Sequence, residues 1–174
     1  MTIINLKDAD KLGAFKNQTH QERRVQAIRK VLLENVDKFE EAGWAFDADR
    51  FAVWLEATQW FVSSSSTNAS FHNVPYGAEP SEGALDFNKP ETILAQALVL
   101  VEREAEEFHG EFDSPADFVE ASWYSMNGEQ AVPDDLKWVI DWGKLWEGSW
   151  SYETLDVPVF DRDGKFRHFF WANN

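Results

Sequence analysis

Eight carboxylates, Glu102, Glu104, Glu106, Glu107, Glu111, Asp113, Asp117 and Glu120, fall within nineteen residues, and Arg103 is the only base among them. Glu102 and Glu106 stand one helical turn apart, ~6 Å along the axis, where like charges destabilise a helix. They also fall toward the C-terminal end of the predicted helix, the end whose macrodipole disfavours negative charge. A run that accepts both penalties can be using its charge. Carboxylates in a row imitate phosphates, so a Lys and Arg groove built for nucleic acid would accept this chain instead. The other reading is a solvated helix face, paired in the fold with Arg23, Arg24, Arg29 and Lys30.

A divalent cation is a third use of such residues. Glu104-x-x-Glu107 and Asp117-x-x-Glu120 lie on consecutive predicted helices and could converge on Mg²⁺. The two pairs resemble the acid pairs of the all-α nucleotide pyrophosphatases, which implies a small metal-dependent enzyme as the alternative function. The chain departs from that pattern in the short gap between its pairs and in lacking basic phosphate-binding residues after them. Glu106-x-x-His109 matches half of a di-iron helix motif, and a carboxylate bundle needs two. No catalytic residue, metal ligand or cofactor is therefore assigned.

Trp138, Trp142 and Trp146, followed by Trp150, recur every four residues, a spacing that winds a stripe slowly around a helix. Rings that reach the surface would anchor a protein interface; rings that do not would form a core seam between that helix and the C-terminal strands. Base stacking is disfavoured, because single-strand binders need a basic groove and only Lys137 and Lys144 lie nearby. His20, His72, His109 and His168 are too scattered for a zinc site. His72 stands close to Ser63–Ser66, but no nucleophile-elbow glycine pattern frames those serines, and no glycine-rich phosphate loop occurs.

The acidic run belongs to a wider partition. Residues 34–160 hold 26 acids against six bases, whereas the first 33 residues hold seven bases against three acids. Such segregation creates a field that attracts basic surfaces and repels nucleic acid. Nine Trp and 14 Phe distinguish the chain from a disordered acidic tail. With no cysteine, disulfide and thiolate chemistry are excluded. The opening MTIINLKDAD has no apolar stretch of signal-peptide length, and the longest apolar run, Ile93 to Val101, is far below the ~20 residues of a membrane span. The expectation is a cytoplasmic protein with no membrane partner, in which the sequons at Asn17 and Asn68 carry no sugar.

The elements that must position these residues are legible from caps and periods. Thr19-His-Gln-Glu22 is a capping box, after which Val25, Ile28, Leu32, Val36 and Phe39 predict one helix ending at Gly43. Asp47 caps a second helix through Phe51, Trp54 and Leu55. Asn88, with Pro90 behind it, opens a third that runs toward Gly110, Ser114-Pro115 a fourth, and Pro133-Asp134-Asp135 a fifth. Alternation from Trp150, with Asp163-Gly164 between two runs, predicts a hairpin; Pro158 predicts that its first strand is a sheet edge, and Thr2–Leu6 offers a third strand.

The expected fold class is α+β: a single domain over 1–174, mainly helical, with about five helices, a long loop at 63–88, and a C-terminal antiparallel hairpin or three-stranded sheet. The expected function is an acidic inhibitor that occupies the basic nucleic-acid site of a partner. A phage anti-restriction or anti-CRISPR protein and a nuclease immunity protein share that chemistry. The partner is then a basic nucleic-acid-handling protein, with no direct binding of nucleic acid. A structural or assembly protein is a further alternative, and the sequence leaves the oligomeric state open.

Overall fold

Thr19 caps the first helix as its spacing predicts: its side chain accepts from the Glu22 backbone N–H while Glu22 reaches back to the Thr19 N–H. The computed structural model describes residues 3–7, 18–65, 68–72 and 84–173, and it is α+β. Its 174 residues divide into two compact units, one of residues 9–106 and one of residues 1–8 with 107–174. Among the described residues no helix is long and apolar enough to cross a membrane.

In the first unit, α1 (His20–Glu34) packs on α3 (Ala48–Thr58), with the short α2 (Val36–Glu41) between them in sequence. The single helix predicted up to Gly43 is two, because Asn35 leaves helical geometry and its amide donates to the Val31 carbonyl, competing with the backbone ladder. The Asp47 cap is present, donated to by the Arg50 N–H. Val25, Ile28, Leu32, Phe39, Phe51, Trp54 and Leu55 form the core, and Ile93, Ala97 and Val101 of α4 (Pro90–Glu107) are likewise buried.

Part of the stretch expected as a loop at 63–88 is sheet. β2 (Phe61–Ser65) pairs antiparallel with β3 (Asn68–His72), from Phe61↔His72 to Ser65↔Asn68, and parallel with β4 (Leu85–Asp86). Serines show no side-chain period, yet the ladder is made by backbone groups that serine supplies as well as valine does. Residues 66–67 and 73–83 of this stretch lie outside the described residues.

In the second unit a four-stranded sheet runs in the order β1-β6-β7-β5, with β1 at Ile4–Asn5, β5 at Phe108–Phe112, β6 at Thr154–Phe160 and β7 at Phe166–Ala172. The predicted hairpin is β6 and β7, turned by Asp163-Gly164, with Gly164 at φ 77°. The expected third strand is β1, which pairs parallel with β6. The fourth, β5, follows α4 directly; Gly110, at φ 135°, falls in its bulge rather than ending a helix. β6 is interior rather than an edge. Proline is tolerated there because β1 is two residues long and meets only Val159 and Phe160, leaving Pro158 without a β1 partner.

The predicted fifth helix does not form as one element. After α5 (Pro115–Asn127) the chain makes a 3-10 turn at Lys137–Val139, then α6 (Trp142–Leu145), a π-turn at Trp146–Trp150, and α7 (Ser151–Glu153). Asp141 interrupts the run by capping a new turn, accepting from the Lys144 N–H, and Gly143 and Gly148 lower helix propensity within it. Trp150 and Tyr152 accordingly lie in helical turns and the strand begins at Thr154.

Candidate protein-binding surface

Ser114 opens α5, its hydroxyl accepting from the Asp117 N–H with Pro115 in the first turn. This start sets Phe118 and Val119 inward, and Phe118 stacks on Phe170 of β7 with ring centroids 4.3 Å apart and planes 7° apart. Phe112 of β5 meets Phe118 at 5.4 Å, and Trp146 and Trp150 meet it edge-on at 6.2 and 5.9 Å. Each such pair adds about 0.5–1.5 kcal/mol beyond burial, so the aromatic cluster holds the irregular segment 137–153 against the sheet. A second cluster joins Trp142 to Trp123 and Tyr124 at 5.8 and 5.7 Å.

The tryptophan stripe is thereby split. Trp142 and Trp146 are half-buried in the two clusters, whereas Trp138, on the 3-10 turn, is 81% exposed. Leu136, Val139, Met126 and Tyr152 are exposed with it. Sequence reasoning missed these four, although for Leu136 and Val139 the segment Leu136-Lys137-Trp138-Val139, apolar at three of four positions between Asp135 and Asp141, carries the signal. Residues 113–153 hold nine acids against two lysines. Both lysines are engaged at the surface, Lys137 with Asp134 at 2.6 Å and Lys144 with Asp141 at 3.8 Å. The Asp134 carboxyl is held below its ordinary range by its hydrogen bond to Lys137. Asp135, Glu147 and Glu153 are exposed.

The eight carboxylates singled out above separate. Glu104 is buried, 1% exposed, with both oxygens taken by Arg50 of α3, Nε to Oε1 at 2.7 Å and Nη2 to Oε2 at 3.0 Å. It is therefore withdrawn from any phosphate-like row and from the Glu104-x-x-Glu107 metal pair. Glu111 is bound by Arg167, which also clamps Asp161. Glu102 and Glu106 remain exposed on α4, and Glu107 is half-buried. Asp113 and Asp117 are exposed and Glu120 is half-buried, with Asp113 4.0 Å from Lys165 and Asp117 engaged with the Ser114 cap. Two of the arginines of α1 are bound within their own unit. Arg24 binds Glu56, and Arg29 binds Asp49, both on α3.

Among the described residues no group of three or more His, Asp or Glu is placed to hold a metal. His168 is buried and pairs through Nδ1 with Asp156 Oδ1 at 2.7 Å, while Asp156 Oδ2 is buried with no hydrogen-bond partner in the described structure. Burial raises the Asp156 carboxyl, and the His168 hydrogen bond offsets this only in part. Comparison with known proteins finds no family model, no curated protein and no solved structure that matches this chain.

Proposed function

We propose that the chain is an acidic protein-binding inhibitor that occupies the basic nucleic-acid site of a partner, and that its contact face lies in residues 113–153 rather than on α4. The observation that carries the reading is Trp138, exposed among exposed apolar neighbours and bracketed by Asp134, Asp135 and Asp141. Tryptophan is a frequent anchor of protein interfaces, and a monomer gains nothing by leaving it in water. The surrounding carboxylates supply steering and orientation toward a Lys and Arg surface, and they oppose nucleic acid itself. This is the chemistry of an anti-restriction, anti-CRISPR or nuclease-immunity protein. In this reading the protein acts in the cytoplasm and without a cofactor.

The test is competition. Purified basic DNA-handling proteins would be titrated with the chain while bound to labelled duplex DNA, over a series of salt concentrations. Displacement of the duplex by the chain, weakening steeply as salt rises, is the expected result. Binding that ignores salt, or that leaves the duplex in place, would sink the proposal.

A further inference from the structure

A groove of about 670 Å³ opens beside α5 in the second unit. One wall is a face of the helix itself: Phe118, Ala121, Ser122, Ser125 and Met126 recur at the three- and four-residue spacing of a single stripe. The stripe is small in the middle and large at both ends. Trp150 and Glu153 of the π-turn and α7, and His109 and Phe112 of β5, also line it. Two further observations bear on this face. The other side of α5 is already occupied, through Trp123 and Tyr124 packed on Trp142, whereas Ala121, Ser125 and Met126 of the groove stripe are exposed. Ala121 and Ser125 also line a second, shallower groove with Tyr124, Glu129 and Lys137, which carries the surface on to the turn that displays Trp138.

We infer that the groove seats an amphipathic helix of the partner, with apolar residues in the groove and Lys or Arg on its flanks; this rests on the function proposed above. The small residues at 121, 122 and 125 let a second helix axis approach to about 8–10 Å. Recognition is then of the helix-in-groove kind, read by apolar anchors at i, i+3 or i+4 and i+7. Charge selects the flanks. Glu153 lines the groove and residues 113–153 hold nine acids, whereas the only lysines in that stretch already face Asp134 and Asp141. An acidic helix would be repelled, and a neutral one would gain burial alone.

The experiment uses the full chain and a fluorescently labelled peptide of about 18 residues, five helical turns, built of Leu at helical spacing with Lys elsewhere. A scrambled peptide of the same composition accompanies it. Ala121→Arg places bulk and a positive charge in the groove, and Ala95→Arg makes the same charge change on an exposed position of α4. The patterned peptide should bind and change the tryptophan emission. Ala121→Arg should weaken binding about tenfold or more while Ala95→Arg stays within about twofold, and the scrambled peptide should bind far more weakly. Equal binding of the two peptides, equal loss in the two variants, or no peptide binding at all would overturn the groove assignment. Because the DNA-competition assay is separate, its salt dependence would still stand in that event. Failure of the competition with peptide binding intact would instead break the decoy reading and leave the helix groove standing. A concentration-dependent dimer abolished by Ala121→Arg would assign the groove to a second copy and overturn the partner assigned here.

Discussion

The arginines of residues 9–106 and the lysines of residues 113–153 handle charge in opposite ways. In residues 9–106, Arg24, Arg29 and Arg50 are each spent on a carboxylate at least three-quarters buried, Glu56 at 3%, Asp49 at 25% and Glu104 at 1% exposure. In residues 113–153, by contrast, Lys137 and Lys144 meet Asp134 and Asp141, whose side chains are 95% and 57% exposed. Buried, bidentate pairs fix register and are costly to break from one side, while exposed pairs contribute little. The same residue types are therefore structure in one region and field in the other. Net charge does not say which, since the exposure of the acid and the delivery of an arginine decide it.

The largest consequence is at Glu104. Glu104→Gln should destabilise the chain by up to about 3–5 kcal/mol, read by urea denaturation, because it removes the buried charge that the Arg50 guanidinium binds through two nitrogens. Stability unchanged within about 0.5 kcal/mol would mean that this pair is no more structural than the surface pairs, and the contrast between the two regions would fail. Trp138→Ala should do the reverse. Its effect on stability should lie within about 0.5 kcal/mol, as for surface positions generally, while affinity for the basic partner should fall by about 2 kcal/mol, near thirtyfold. A stability loss with affinity intact would place Trp138 in the fold rather than at an interface.

The smallest effect separates two aspartates within the second unit. Burial pushes Asp161 up, but the Lys165 N–H and the Arg167 guanidinium more than offset it and hold the carboxyl below the ordinary value of 3.8. Its stabilisation is present above 3.8 and is lost as pH falls through the lowered value. Asp156 is raised by burial, so its contribution is complete below 3.8 and is lost as pH rises through the raised value. In the acid range Asp161→Asn should flatten a fall in stability toward low pH, and Asp156→Asn should flatten a fall toward neutral pH. Parallel profiles for the two variants, in unfolding measured across that range, would contradict these opposed environments.

How far these features can be read from the chain differs by element. Thr19, Asp47 and Ser114 announce their helices because a cap needs only local donors and acceptors, and all three cap as read. The break at Asn35 was invisible, since the apolar period continues across it to Phe39 and only the amide's bond to Val31 interrupts the ladder. The tryptophans at four-residue spacing pointed to one helix. Asp141 and the two glycines cut it into turns, and that cut is what leaves Trp138 in water while Trp142 and Trp146 are drawn into the aromatic clusters. The candidate surface was half legible for the same reason. The acids of 113–120 and Trp138 were named, but Tyr152, Met126 and the α5 groove depend on which face of α5 meets Phe170 and Trp142.

Composition and local spacing by themselves determined an acidic, aromatic-rich α+β chain with its caps, its C-terminal hairpin and its segregated charge. These properties follow from residue type and from interactions a few positions apart. Tertiary structure alone decided which carboxylates keep their charge in water. Arg50 reaches Glu104 across 54 residues and Arg167 reaches Glu111 across 56, and no local pattern encodes a partner that only folding brings within hydrogen-bonding distance.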